Sequence, residues 1–231
     1  MAGKFLGIFI YADDIFILCP SRPGLQVMVD ECQMFAQENN LTFSTHPNPS
    51  KSKTKCIVFA RTSEEDLAPI KLNNVDLPWV PSVKHLGVTL ETDNSMKIDI
   101  AQKRGKFIGK ICSLRQEFKF VSPQVMMKII EMYTMSFYGS CLYNIFSKDC
   151  ERIFATYNVA VRSIFSLPRE THRFFIEEIS ESTHPKVLMA SRLVGFHEMM
   201  KNSERPVINL MAKITENDCR TFHGLNLNKI A

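Results

Sequence analysis

The chain has 231 residues, of which 45% are hydrophobic and 23% charged, so it is long enough to bury a core and typical of a globular protein. No apolar run approaches the roughly 20 residues that a membrane-spanning helix needs, and the apolar start runs into two aspartates, so we expect neither a signal peptide nor a membrane partner. The seven cysteines are scattered without a CxxC pair, which excludes a disulfide framework and indicates a reducing, cytoplasmic or nuclear setting.

The formal net charge of +4 is unevenly distributed along the chain. Residues 1–50 contain two basic and five acidic residues, whereas residues 97–128 contain eight basic and two acidic ones. A small total charge does not predict a nucleic-acid partner, but a cluster of basic residues in one segment favours one.

The first predicted element is a hairpin. Residues 5–11 and 15–19 are short apolar runs, which are typical of buried strands, and Ala12, Asp13 and Asp14 lie between them. The pattern therefore predicts a β-hairpin with two carboxylates at its tip.

The next elements are one helix and several short strands. Apolar residues recur at helical spacing over 25–40, which predicts an amphipathic helix packed on the hairpin. Residues 45–52 are rich in Pro, Ser and Asn and predict a loop, and residues 55–60 alternate like a strand. Asn73-Asn74 marks a hairpin turn within 61–82, and residues 83–90 predict another strand pair containing Gly87.

From Ile98 onward the apolar period becomes helical. One predicted helix carries Ile100 to Leu114, and a second follows Ser122-Pro123 with Val125, Ile129, Met132, Tyr133 and Phe137 as its apolar positions. Further helices are predicted over 150–166, 173–181 and 185–201. Strands with one helix, followed by helices alone, predict an α+β fold with antiparallel strands.

The paired aspartates are the strongest chemical signal. Two like charges about 4 Å apart repel by about 4 kcal/mol at an effective dielectric near 20, so a cation is expected beside them. Carboxylate ligands suit Mg²⁺ or Mn²⁺, and two such ions are a known device for phosphoryl transfer. The alternative is that Asp13-Asp14 is an ordinary solvated turn, because Asp is common in turns.

The neighbouring residues point to a known family. Tyr11-Ala12-Asp13-Asp14 between apolar strands resembles the YADD box of reverse transcriptases. The later segments 41–44 and 51–56, the His85-Leu86-Gly87-Val88 stretch and the Leu-Pro-Arg-Glu-Thr-His run at 167–172 resemble landmarks of non-LTR, LINE-type retrotransposon enzymes in the same order. The chain is similar to that family over residues 5–175.

The resemblance implies a polymerase palm over 1–95, a helical thumb over 96–175 and a helical tail over 176–231. It implies Asp13 and Asp14 as metal ligands, Tyr11 and Ala12 beside the primer terminus, and Leu86 and Gly87 in a primer-grip hairpin. Lys53 or Lys55 would face the leaving pyrophosphate, and the residues alone do not decide between them. The implied partners are an RNA template, a DNA primer and deoxynucleotide triphosphates, with Mg²⁺ or Mn²⁺ as cofactor.

The basic segment 97–128 fits a thumb lying on a duplex, where cations neutralise phosphates without reading bases. Lys103, Arg104, Lys106 and Lys110 fall within about two turns of one predicted helix, so some of them share a face. The alternative is a helix surface that is merely soluble.

The chain departs from the family before the YADD box. The ten residues preceding Tyr11 contain no acid, so the further metal-binding aspartate and the fingers of a complete polymerase are not expected within these residues, and we expect the chain to be inactive alone. Two other hypotheses stay open: a non-catalytic nucleic-acid-binding remnant, and a product without function. Cys219 and His223 have half the spacing of a zinc knuckle, but no partner cysteine lies at the right distance upstream.

Overall fold

A computed structural model describes residues 7–46, 48, 50–59, 67–217 and 222–230. The fold is α+β, as predicted, with strands and one helix first and helices afterwards. The chain divides into two compact units, one of Met1–His85 with Thr89–Ser95, and the other of Leu86–Val88 with Met96–Ala231.

The first unit begins with the predicted hairpin. Strands β1 (Ile8–Tyr11) and β2 (Asp14–Ile17) pair antiparallel in the register Ile8↔Ile17 to Tyr11↔Asp14. The expectation of buried strands is wrong: β1 is exposed throughout and β2 is exposed or half-buried. The reason is that this sheet has only two strands in the described part of the chain, so both strands are edges.

Helix α1 (Arg22–Glu38) begins three residues earlier than the apolar pattern indicated. The Ser21 hydroxyl accepts a hydrogen bond from the Gly24 N–H at 3.3 Å, so it caps the helix. Pro23 lies in the first turn, where a missing N–H costs nothing. Pro23 and Gly24 are therefore part of the helix start.

A second hairpin supplies the core of the first unit. Strands β3 (Ile70–Leu72) and β4 (Val75–Leu77) pair across the predicted Asn73-Asn74 turn, where both asparagines have positive φ, as this turn requires. Helix α1 packs on β3 and contacts β2 as well. The buried members of this core are Val29, Cys56, Ile70, Leu72 and Leu77.

The prediction of a strand over 55–60 is wrong for residues 55–59, the part of this range that the structure describes. Only Cys56 joins a β-bridge, which is parallel to Trp79. The Cys56 N–H donates to Pro78 O and its carbonyl accepts from the Val80 N–H, both at 2.9 Å. Pro78 lies in the position of the preceding donor and has no N–H, so the ladder cannot continue on that side of the bridge.

The third hairpin is where residues 83–90 predicted it. Strands β5 (Ser82–His85) and β6 (Val88–Glu91) are joined by Leu86 and Gly87. Both turn residues have positive φ, at 45° and 80°, which is the backbone of a tight two-residue connection.

The second unit is helical. The two helices predicted after Ile98 and after Ser122, and the three predicted over 150–201, are confirmed within a few residues. The last two helices lie in the segment predicted only as a helical tail. The elements are α2 (Lys97–Glu117), α3 (Pro123–Thr134), a 3₁₀ turn (Ser140–Leu142), α4 (Lys148–Ile164), α5 (Arg173–Ser180), α6 (Pro185–Lys201), α7 (Pro206–Asn217) and α8 (Phe222–Ile230).

The buried face of α3 differs from the predicted one. Met126, Met127 and Ile130 are buried, whereas Met132 and Tyr133 are exposed. Helix α3 is apolar on more than one side, so the period of its apolar residues predicts a helix without deciding which side packs.

Packing within the second unit joins the segments 96–175 and 176–231. Helix α2 contacts α3 and α4, and α6 contacts α4, α7, α8 and the 3₁₀ turn. Residues on both sides of position 176 therefore share one core. Among the described helices, none has both the length and the hydropathy to cross a membrane.

Candidate functional site

The tip of the first hairpin holds the paired carboxylates. Tyr11 and Asp14 are the last cross-strand pair, and Ala12 and Asp13 form the two-residue connection. Ala12 has φ +52°, a left-handed conformation that costs a non-glycine residue about 1 kcal/mol. Strain of this kind is found at functional sites, where surrounding structure holds it.

Both carboxylates are exposed to solvent, together with Tyr11 and Ala12. In bulk water two charges about 4 Å apart repel by only about 1 kcal/mol, so this hairpin does not need a cation to fold. The repulsion of about 4 kcal/mol expected for Asp13 and Asp14 between buried strands is therefore too large for the exposed hairpin.

The donor set at the tip suits a hard cation but is small. Asp13 and Asp14 offer carboxylate oxygens, which are the ligands that Mg²⁺ and Mn²⁺ prefer. In the described part of the chain, no group of three or more His, Cys, Asp or Glu side chains is placed to hold a metal. The tip thus fits partial ligation, in which substrate or a further carboxylate completes the shell.

Lys53 lies in a loop that is pinned by its neighbours. The buried Ser52 hydroxyl donates to Thr54 O at 2.6 Å, and the Thr54 hydroxyl donates to Ser44 O at 2.9 Å. Lys53 and Lys55 are both exposed, and neither has an ion pair to the hairpin carboxylates among the described residues. The structure therefore leaves the choice between the two lysines open.

Leu86 and Gly87 form the exposed turn of the third hairpin. A Cβ built on Gly87 would lie 3.4 Å from the ring of Tyr138, so space would allow alanine there, but the φ of +80° favours glycine. The turn presents backbone to solvent.

Lys103 points into the helical unit. Its ammonium group lies 2.8 Å from the Asp99 carboxylate and also donates to Tyr138 O. The side chains of Lys103 and Asp99 are only 16% and 3% exposed. Tyr143, which is fully buried, donates its hydroxyl to the same carboxylate, and burial and this contact raise the tyrosine pKa.

The remaining basic residues of α2 divide into two groups. The half-buried Arg104 donates to the Thr156 hydroxyl of α4 at 3.1 Å. Lys106 and Lys110 are exposed, and Lys110 also donates to Tyr133 O at 3.2 Å. Of the four predicted phosphate contacts, the structure thus presents Lys106 and Lys110 to solvent.

Sequence reasoning did not identify two features of this unit. One is the Asp99–Lys103 pair, whose signal was the i, i+4 spacing of opposite charges. The other is the exposed run Phe118, Lys119 and Phe120 after α2, whose signal was the alternation of aromatic and basic residues.

Cys219 and His223 have half the spacing of a zinc knuckle, and Cys219 lies outside the described residues. His223 places Nε2 3.1 Å from Nδ1 of the buried His197, so the two imidazoles are hydrogen-bonded. Burial, and then the neighbouring His197, lower the pKa of His223. This pair joins α8 to α6.

A comparison of the chain with models of known protein families, with curated proteins and with solved structures gave no match.

Proposed function

We propose that this chain derives from the reverse transcriptase of a non-LTR, LINE-type retrotransposon, an RNA-directed DNA polymerase. Residues 1–95 would correspond to part of the palm, 96–175 to the thumb and 176–231 to a helical tail. The observation that carries the proposal is the Tyr-Ala-Asp-Asp sequence at the solvent-exposed tip of a tight antiparallel hairpin.

The order and local structure of the other landmarks support the proposal. Helix α1 follows the hairpin, and Leu86-Gly87 forms the turn of a later hairpin. The Leu-Pro-Arg-Glu-Thr-His run connects α4 to α5, and His172 caps α5 by accepting from the Phe174 N–H at 3.3 Å. Each resembling stretch therefore has a defined local role.

In the proposed reaction Asp13 and Asp14 would hold Mg²⁺ or Mn²⁺. Bound there, the cation would increase the nucleophilicity of a primer 3′ hydroxyl and offset the charge of an incoming triphosphate. Tyr11 and Ala12 would line the primer terminus. Lys53, or the equally exposed Lys55, would neutralise or protonate the leaving pyrophosphate, for which an exposed cationic head on a loop is suited.

The nucleic acid would be a duplex of RNA template and DNA primer. Lys106 and Lys110 would contact its phosphates, because their side chains face solvent. Lys103 and Arg104 would act indirectly, by fixing α2 against Tyr138 and Thr156 of the same unit. Leu86 and Gly87 would approach the primer through their exposed turn.

Two carboxylates alone hold a hard cation weakly, so we propose that residues 1–231 do not synthesise DNA unaided. Primer extension on an RNA template tests this, using the chain alone and the chain mixed with a reverse-transcriptase fragment that ends before its own YADD hairpin. We expect extension only in the mixture, and loss of it in Asp13→Asn. Extension that is unchanged in Asp13→Asn would contradict the proposed role of the hairpin.

The second candidate is a non-catalytic nucleic-acid-binding protein, which the exposed cations of α2 favour. It predicts salt-dependent duplex binding that persists when Asp13 and Asp14 are both changed to Asn, and that weakens in Lys106→Gln and Lys110→Gln. A product without function predicts neither duplex binding nor a cooperative melt.

A further inference from the structure

The corner between α2 and α3 carries an aromatic side chain that does nothing for the fold. Phe120 is fully exposed, and the preceding Phe118 is exposed as well. Leaving a phenylalanine in water forgoes the stabilisation that its burial would bring. Single exposed apolar residues are ordinary on protein surfaces, so two exposed rings indicate a binding site only where suitable side chains lie beside them.

A recess opens beside Phe118. Its volume is about 190 Å³, and its walls include the apolar side chains of Val121, Met126 and Ile164. Arg115 and Lys119 also line it. The recess therefore combines apolar walls with two cations.

Arg115 is held in place at this recess. Its Nη1 donates to the Ser163 hydroxyl of α4 at 2.9 Å. This bond uses one of the five N–H donors of the guanidinium and fixes the planar group, so less entropy is lost when it binds an anion.

The segment that contains the corner is strongly cationic. Between positions 106 and 128 the exposed basic side chains outnumber the exposed acidic ones by five to one. The acidic residue is Glu117, and the basic residues are Lys106, Lys110, Arg115, Lys119 and Lys128. A partner that is both polyanionic and aromatic complements this surface.

We propose that the α2–α3 corner binds a single-stranded polynucleotide, with an unpaired base stacked on Phe120 and backbone phosphates on Arg115 and Lys119. The bases of a duplex are stacked on one another and present no free face to an aromatic side chain, whereas unpaired bases do. Arg115 and Lys119 line the recess, and Phe120 follows Lys119 directly in the chain, so one strand would supply both the stacked base and the phosphates. The inference rests on the proposed function only for the class of partner.

Binding to a fluorescent oligodeoxythymidylate of about 12 nucleotides tests the site, with the full chain measured over a range of salt concentrations. Phe120→Ala is expected to weaken binding about tenfold, because stacking of one base is lost. The matched control is Phe174→Ala, which removes another exposed phenylalanine from α5 and should change binding less than about twofold. Because Phe120 is fully exposed, its replacement should not lower the thermal melting temperature, and the same melt checks that the Phe174 variant, which loses a ring contact with Phe175, is folded.

Lys119→Gln tests the phosphate contact independently. It should reduce the slope of log K against log salt by about 0.7, the value for one phosphate contact on a single strand. The control is Lys148→Gln at the opposite end of α4 from Ile164, about 24 Å along the helix axis, which should leave the slope unchanged.

Three results would overturn the inference: no binding by the unaltered chain, equal binding by the Phe120 and Phe174 variants, or a Phe120 effect confined to anionic phosphatidylserine vesicles. The binding site at the α2–α3 corner can be tested independently of the proposed polymerase function. Asp13→Asn should leave oligonucleotide binding intact, and failure of primer extension would leave the Phe120 effect standing. Duplex binding should be indifferent to Phe120, whereas oligodeoxythymidylate binding that is indifferent to Phe120 would refute this site alone.

Discussion

Replacing Lys103 by methionine should destabilise the helical unit strongly, because it removes the cation from a buried ion pair. The Lys103 ammonium lies 2.8 Å from the Asp99 carboxylate, whose side chain is 3% exposed. The lysine head also lies 5.7 Å and 5.4 Å from the ring centres of Tyr138 and Tyr143. Methionine keeps most of the apolar stem, so the main change is the loss of charge and hydrogen bonds.

Removing one partner of a buried ion pair costs about 3–5 kcal/mol, since it leaves a charge in a poorly solvated place. We take about 3 kcal/mol, because the 16% exposure of Lys103 lets some water reach the site. With a denaturant dependence of about 2 kcal/mol per molar, the urea midpoint should fall by about 1.5 M. Far-ultraviolet circular dichroism reports this transition, since most of the helices lie in this unit.

The control is Lys106→Met, one turn along the same helix, where the side chain is exposed. Its free energy of unfolding should change by less than about 0.5 kcal/mol. In the double variant Asp99→Asn with Lys103→Met, part of the stability should return because the buried charge is gone. Equal midpoints for Lys103→Met and Lys106→Met would refute the inward placement of Lys103.

Three further changes probe the helical unit. Gly139→Ala should lower the free energy of unfolding, measured in urea, by about 2 kcal/mol, because φ is +79° and the new Cβ would lie 2.9 Å from the Val88 Cγ2. Gly109→Ala should instead raise it by about 1 kcal/mol, because Gly109 lies within a helix and its new Cβ would meet nothing within 4 Å. Equal effects of the two changes would contradict this geometry. Burial lowers the pKa of His184 from its ordinary 6.5, so the unfolded chain takes up the proton first and stability should fall as pH drops below 6.5. His184 Nδ1 accepts a hydrogen bond from the Lys186 N–H at 3.1 Å, and an asparagine at this position keeps such an acceptor but cannot titrate. The unfolding free energy of His184→Asn should therefore depend less steeply on pH between 6.5 and 5 than that of the unaltered chain. An unchanged slope would show that this imidazole does not drive the pH dependence.

Local sequence signals predicted the turns and helix starts well. Asn73-Asn74 tolerates positive φ, Ser122-Pro123 caps and begins α3, and Gly87 fits the left-handed turn between β5 and β6. Each of these depends on residues within a few positions of one another, which a single sequence displays.

Burial was harder to predict, because it depends on partners that are distant in sequence. The apolar runs around Asp13 and Asp14 resemble buried strands, but the hairpin has no third strand in the described residues. In α3, apolar residues occur on more than one side, so the packed side is selected by α2 and α4 rather than by period.

The candidate site shows the same division between local and distant information. The tip carboxylates were found from four adjacent letters, and the structure places them together at one turn. The inward direction of Lys103 could not be found that way, since it depends on Tyr138 and Tyr143, which lie 35 and 40 positions further along the chain. The recess between α2, α3 and α4 likewise exists only in three dimensions.

The most direct test of the account is a titration of the chain with Mn²⁺, following paramagnetic broadening of backbone amide resonances. We expect weak binding in which the resonances of Tyr11 to Ile15 broaden first, and in which Asp13→Asn with Asp14→Asn abolishes that broadening. Broadening that begins elsewhere, or that persists in the double variant, would contradict the proposal that the paired carboxylates form a metal site.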